Sequence, residues 1–98
     1  MISWAFIFEA PETDPVRDRL IVERGGVRST IVAVPEQSAA VGVAVELAGE
    51  GVQFIELCGG FEPGWAGKIV EATGGGIPVG CVGYAGGASI RRMAALFS

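Results

Sequence analysis

Short apolar runs, each stopped by proline or glycine, alternate along this chain with segments of helical spacing. That alternation limits the fold more than any other feature. Residues 4–10 (WAFIFEA) are closed by Pro11, residues 27–34 (VRSTIVAV) by Pro35, and residues 52–58 (VQFIELC) by Gly59-Gly60. Residues 77–83 (IPVGCVG) form the fourth run, with Pro78 near its start, where a missing N–H does least harm. Runs of this length and composition read as buried strands.

Between them lie the helical patterns. Residues 36–48 place Val41, Ala44, Val45 and Ala48 on one face, which Val43 and Leu47 widen, and Gly49 and Gly51 supply the stop. Residues 63–73 turn Ala66, Ile69, Val70 and Thr73 inward and end at the glycines 74–76. Residues 88–97 carry Ile90, Met93, Ala94 and Phe97 as a buried stripe. The segment after Pro11 has two readings. Thr13 or Asp14 can cap a short helix with Pro15 at its first position and Val16, Leu20 and Val22 inward. The alternation in residues 19–23 equally suits an edge strand, and Gly25-Gly26 ends the segment in either case.

A β-α-β-α-β-α-β-α order predicts one α/β domain over residues 1–98. It is expected to be a three-layer α/β/α sandwich around a four-stranded, mainly parallel sheet. Right-handed crossovers favour a flavodoxin-like strand order, 2-1-3-4. The 98 residues suffice for one small domain and not for two. Half of them are hydrophobic and 18% are charged, more apolar than so small a surface needs. A homo-oligomer, dimer or larger, is therefore expected, and it would also cover the two sheet edges.

Charge and residue types exclude several functions. A formal net charge of −4 argues against a nucleic-acid partner, since phosphates require a basic face. No apolar run approaches the roughly 20 residues of a membrane span. The start, MISWAFIFEAP, lacks a basic region and reads as a strand, not a signal peptide. Cys58 and Cys81 have neither zinc-site nor CxxC spacing, so both are expected as reduced thiols in a cytoplasmic protein. Histidine is absent, which removes Ser-His-Asp and Cys-His machinery and any His-ligated metal from the chain. No GxGxxG follows the first strand and no GKS or GKT occurs, so no nucleotide cofactor is expected.

In a parallel sheet the C-terminal strand ends share one edge with the helix N-termini, and ligands bind there. Glu9, Glu56, Cys58, the loop Gly59-Gly60-Phe61 and the loop carrying Tyr84, Gly86 and Gly87 should converge on that edge. Glycine amides there can hold an anion or a carbonyl oxygen, or the glycines simply shape tight turns. Glu56 and Glu9 end apolar strands, where burial favours the protonated acid needed for acid–base work; a structural carboxylate is the other reading. Cys58 precedes a helix N-terminus, a setting for a reactive thiol, although small buried hydrophobe is the common fate of free cysteine. Cys81, in mid-strand, reads as core. Arg91 and Arg92 fall near the start of the last helix, where positive charge opposes the macrodipole unless an anion or carboxylate compensates. Trp65 and Tyr84 suit either a pocket wall or an interface, and Lys68 the surface.

The segments AFIFEAP (residues 5–11), IELCGGF (55–61) and IPVGCVGY (77–84) together resemble a family of small bacterial proteins of unknown function. The likeness runs over nearly the whole chain in the same order, and IELCGGF is its most specific part. It implies a shared α/β fold and a shared site position. It implies no reaction, because that family carries no established activity. Residues 15–28 and the tail from residue 85 are more individual.

Two functional classes follow. One is a cofactor-independent acid/base enzyme of isomerase or lyase type, acting on a small anionic or carbonyl metabolite. Glu56 would be its acid/base, Cys58 an assistant, the Gly59-Gly60 and Gly86-Gly87 amides a cradle, and Arg91 a charge clamp. The other is a non-catalytic binding or structural module that uses the same edge for recognition.

Overall fold

The computed structural model describes residues 1–97. Its elements are β1 (Ile2–Glu9), β2 (Arg19–Arg24), β3 (Val27–Val34), α1 (Ala39–Gly49), β4 (Phe54–Leu57), α2 (Gly64–Ala72), β5 (Val79–Cys81) and α3 (Gly86–Ala95). They form a mixed α/β structure around a five-stranded sheet in the order β2-β3-β1-β4-β5. β1 pairs in parallel with β3 and β4, and β4 with β5, while β2 runs antiparallel to β3. The expected four strands in the order 2-1-3-4 are therefore corrected to five. The addition is β2, outside β3.

The physical reason lies in residues 15–24. Asp14 does cap a turn: its Oδ1 accepts the N–H groups of Val16 at 2.8 Å and Arg17 at 3.1 Å. Asp18 N–H then donates to the Asp14 carbonyl at 2.7 Å, and the helix goes no further. Beyond it, Gly25 and Gly26 at φ +60° and +79° suit a two-residue hairpin turn open to few other residues. That hairpin lays Leu20, Ile21 and Val22 against Ile31, Thr30 and Ser29. Pairing along six residues and β-branched side chains together outweigh the short helix.

The Asp14 carboxyl is held below the usual aspartate range by the amide of Arg17 first and that of Val16 second. A lowered native pKa stabilises the fold above the unfolded value of about 3.9, and that stabilisation disappears as pH falls through the native value. The stability difference between wild type and Asp14→Ala should therefore shrink in acid, as followed by urea melts from pH 6 downward. A difference independent of pH would contradict the capping role.

Replacing a helix by β2 also changes the layering. α1 and α2 pack on the same sheet face and against each other. Ala5, Ile7, Val32, Val34, Ile55 and Leu57 point into that layer and meet Ala40, Val43, Ala44, Leu47 and Ile69. The inward stripe of α1 is Ala40, Val43, Ala44 and Leu47, rotated from the expected one, and Val45 is exposed. α2 buries Ile69, with Trp65 and Ala66 packed alongside. Lys68 lies over the Trp65 ring, Nζ 4.3 Å from its centroid. Burial of each large aliphatic side chain contributes about 1.5–3 kcal/mol.

The expected three layers are corrected to two, because the α3 stripe of Ile90, Met93, Ala94 and Phe97 is not buried: no residue of α3 is. Trp4, Phe6, Phe8, Ile31 and Phe54 have the opposite register parity to the core residues, and none packs into the core cluster. Trp4 stacks on Phe54 with centroids 5.5 Å apart, and its indole N–H donates to Ser29 Oγ at 2.6 Å. No helix among the described residues is long and apolar enough to cross a membrane.

Candidate functional site

β1, β4 and β5 are parallel, so Glu9, Leu57 and Cys81 finish on one edge. Beyond Leu57 the chain is held in place atom by atom. Cys58 N–H donates to the Ile7 carbonyl, Phe61 N–H to the Cys58 carbonyl and Val82 N–H to the Leu57 carbonyl, each at 3.0 Å. Phe61, 6% exposed, anchors the turn in the core. Gln37, in the loop before α1, ties β1 to the turn. Its Nε2 donates to Glu9 Oε1 at 3.2 Å and to the Gly60 carbonyl at 3.3 Å, while its Oε1 accepts Glu62 N–H at 3.0 Å. Nothing in the local sequence around Gln37 marks this role. It follows from where the crossover sets the loop.

These elements surround a cavity of about 600 Å³. Glu9, Cys58, Gly59, Gly60, Phe61 and Tyr84 line it, and α3 and the residues after it border one side with Met93 and the largely exposed Leu96 and Phe97. The Tyr84 ring rests on Gly59: a Cβ there would stand 2.6 Å from Tyr84 Cε2 and 2.9 Å from the Val82 carbonyl oxygen. The N–H groups of Gly59 and Gly60 have no acceptor among the described residues. The cavity thus joins two uncommitted amide donors, one thiol and one carboxylate to an apolar wall. Met93 and Phe97 belong to the stripe that spacing assigns to the core, whereas Leu96 does not; spacing alone cannot reveal that these residues border a cavity.

The model of a family of unknown function, DUF6506, matches residues 2–98. The chain belongs to that family. No curated protein and no solved structure matched it.

Other candidate residues of this DUF6506 protein lie elsewhere. Glu56 has the register of Phe6 and Gly80, on the sheet face that carries no helix, and does not line the cavity. Gly86 and Gly87 begin α3 and do not line it either. Because α3 starts at Gly86, Arg91 is mid-helix and Arg92 is in the last turn, where the macrodipole favours a cation. The expected first-turn placement is corrected. The Arg91 guanidinium folds back over the start of α3, its Nη1 3.2 Å from where a Cβ on Gly87 would be. Cys81 is exposed and not core, since β5 is a three-residue edge strand and α3 does not cover it. Among the described residues no group of three His, Cys, Asp or Glu could hold a metal.

A second cavity, of about 410 Å³, opens at the N-terminal edge between Ser3, Arg19, Arg28, Thr30 and Glu50. Arg19 is paired with Glu46 and Arg28 with Glu23, each at 3.3 Å. Its positive charge is already balanced.

Proposed function

We propose that this DUF6506 protein binds a small carbonyl compound with an apolar body in the cavity at the C-terminal edge of its sheet. The observation that carries this is the pair of unengaged amides at Gly59 and Gly60, set in a wall of Phe61, Tyr84, Met93, Leu96 and Phe97. Two amides converging on a carbonyl oxygen stabilise the negative charge that develops when an adjacent C–H is deprotonated. Glu9 is the carboxylate beside them. One of its oxygens is held by Gln37 and the other is uncommitted among the described residues, which suits proton transfer at the carbon next to the carbonyl. Such an isomerisation or elimination needs no cofactor. A neutral ligand fits better than an anion, because Glu9 is the charged side chain in the lining and Arg91 is turned to its own helix.

The Gln37–Glu9 contact also favours a second reading, in which Glu9 only positions the loop and the cavity recognises its ligand without turnover.

The experiment is an amide NMR titration of labelled protein with neutral aldehydes and ketones, and in parallel with carboxylates and phosphates. The Gly59 and Gly60 resonances should move with a neutral carbonyl compound. Alkylation of Cys58 should slow at the same time, while that of exposed Cys81 should not. Resonances that move only with anions would overturn the proposed ligand class. Deuterium uptake next to the carbonyl, abolished in Glu9→Gln with binding retained, would establish proton transfer; binding without uptake would leave a recognition module.

A further inference from the structure

The helix-free sheet face holds an apolar field built on Trp4, Phe6, Phe8, Ile31 and Phe54, extended to the sheet edge by Leu20 and Val22. Register gives this face two charged strand residues: Arg24, level with Val27 and Ile2, and Glu56, level with Phe6. Neither forms an ion pair among the described residues, whereas Arg19 and Arg28 both do. The two opposite charges stand diagonally across the field. Three strand spacings of about 4.8 Å and four residues at about 3.3 Å separate them, roughly 20 Å in all. The midpoint of that diagonal falls between β1 and β3 at the level of Trp4 and Ser29, the centre of the field.

We propose that a second copy of this chain packs face to face on this surface, with Glu56 of each copy against Arg24 of the other. A two-fold axis lying in the interface over Trp4 and Ser29 brings both pairs together at once. It crosses the strands of the two sheets at roughly 90°, one of the two geometries in which sheets pack. A self-complementary face of this kind is what an isologous dimer requires. The area is also of the right order. Strands of eight, six, eight, four and three residues project roughly 460 Å² at these spacings, before the relief of their side chains is counted, against about 800 Å² of accessible surface per partner in a standard interface. This assignment is independent of the ligand at the other end of the strands. It also gives Glu56 a role in assembly, where its position excludes it from the cavity lining.

Sedimentation velocity of the full chain over a concentration series tests it. The wild type should sediment as a dimer, at twice the chain mass of 10.1 kDa. Glu56→Arg and Arg24→Glu should each weaken dimerisation about tenfold or more, and the double reversal should restore it to within about threefold. Val22→Lys, at an exposed position in the field, should dissociate the dimer while leaving the circular dichroism spectrum unchanged. A wild type monomeric at about 100 μM overturns the proposal. So does a dimer indifferent to both single reversals, or a double reversal no better than either single one.

Discussion

Ile7→Ala should lower the unfolding free energy by about 2–5 kcal/mol, the largest loss expected from a single side chain here. Ile7 is fully buried on the central strand, flanked by Val32 on β3 and Leu57 on β4, which are themselves fully buried. Its side chain sits where the sheet meets α1 and α2, so truncation leaves a cavity that rigid strands on either side cannot close. Domains of this size are stable by about 5–15 kcal/mol, so the loss is a large fraction of the whole. With roughly 4–8 °C of midpoint per kcal/mol, thermal unfolding should come about 8–40 °C earlier. Val16→Ala, at 77% exposure, is the control and should change stability by less than about 0.5 kcal/mol. A loss below about 1 kcal/mol for Ile7→Ala would mean that the core is not centred on β1.

Gly59→Ala should also be damaging, and it should act on stability and on the cavity together. The added methyl meets a side-chain carbon at 2.6 Å and a backbone oxygen at 2.9 Å. The Tyr84 ring can swing away, at the expense of the wall it forms. The Val82 carbonyl cannot, because its own residue is tied through its N–H to Leu57 at 3.0 Å. Overpacking of this kind costs about 1–3 kcal/mol. Removing the ring in Gly59→Ala/Tyr84→Ala should therefore recover only part of the loss. Chemical denaturation of the two single variants and the double variant measures this coupling. Full recovery would show that the ring alone requires glycine at this position.

Both variants probe parts of the molecule that differ in how far the sequence reveals them. The strands β1, β3, β4 and β5 are legible because each is a compact apolar run ended by proline or glycine, a local property. The cavity edge is legible for a related reason: in parallel strands, Glu9 and the residues after Leu57 must finish on the same side. That places Glu9, Cys58, Gly59, Gly60, Phe61 and Tyr84 together before any contact is known. Glu56 shows where this reasoning stops. Two residues before Cys58, it is near the edge along the chain, but period-two alternation turns its side chain to the other face of the sheet. A residue's position along a strand is legible; the face that is covered is not.

The amphipathic stripe of α3 illustrates the same limit from the other side. Ile90, Met93 and Phe97 have the spacing of a buried face, yet Ile90 and Met93 lie on a helix with no buried residue and Phe97, beyond its end, is exposed. Spacing records that a helix has an apolar side. It does not record what meets that side.

By itself, then, the sequence determined the alternation of elements, the parallel strands and the edge at which the glycine-rich turn lies. These follow from local punctuation, side-chain shape and the handedness of crossovers. The tertiary structure alone decided that residues 19–24 pair as a strand, so that both packed helices lie on one face and an apolar face is left without a helix. It also decided that Gln37 ties the loop to Glu9 and that Arg91 turns away. The physical reason is the same in each case: competing local preferences differ by about 1 kcal/mol or less, and contacts between residues distant in the chain outweigh them.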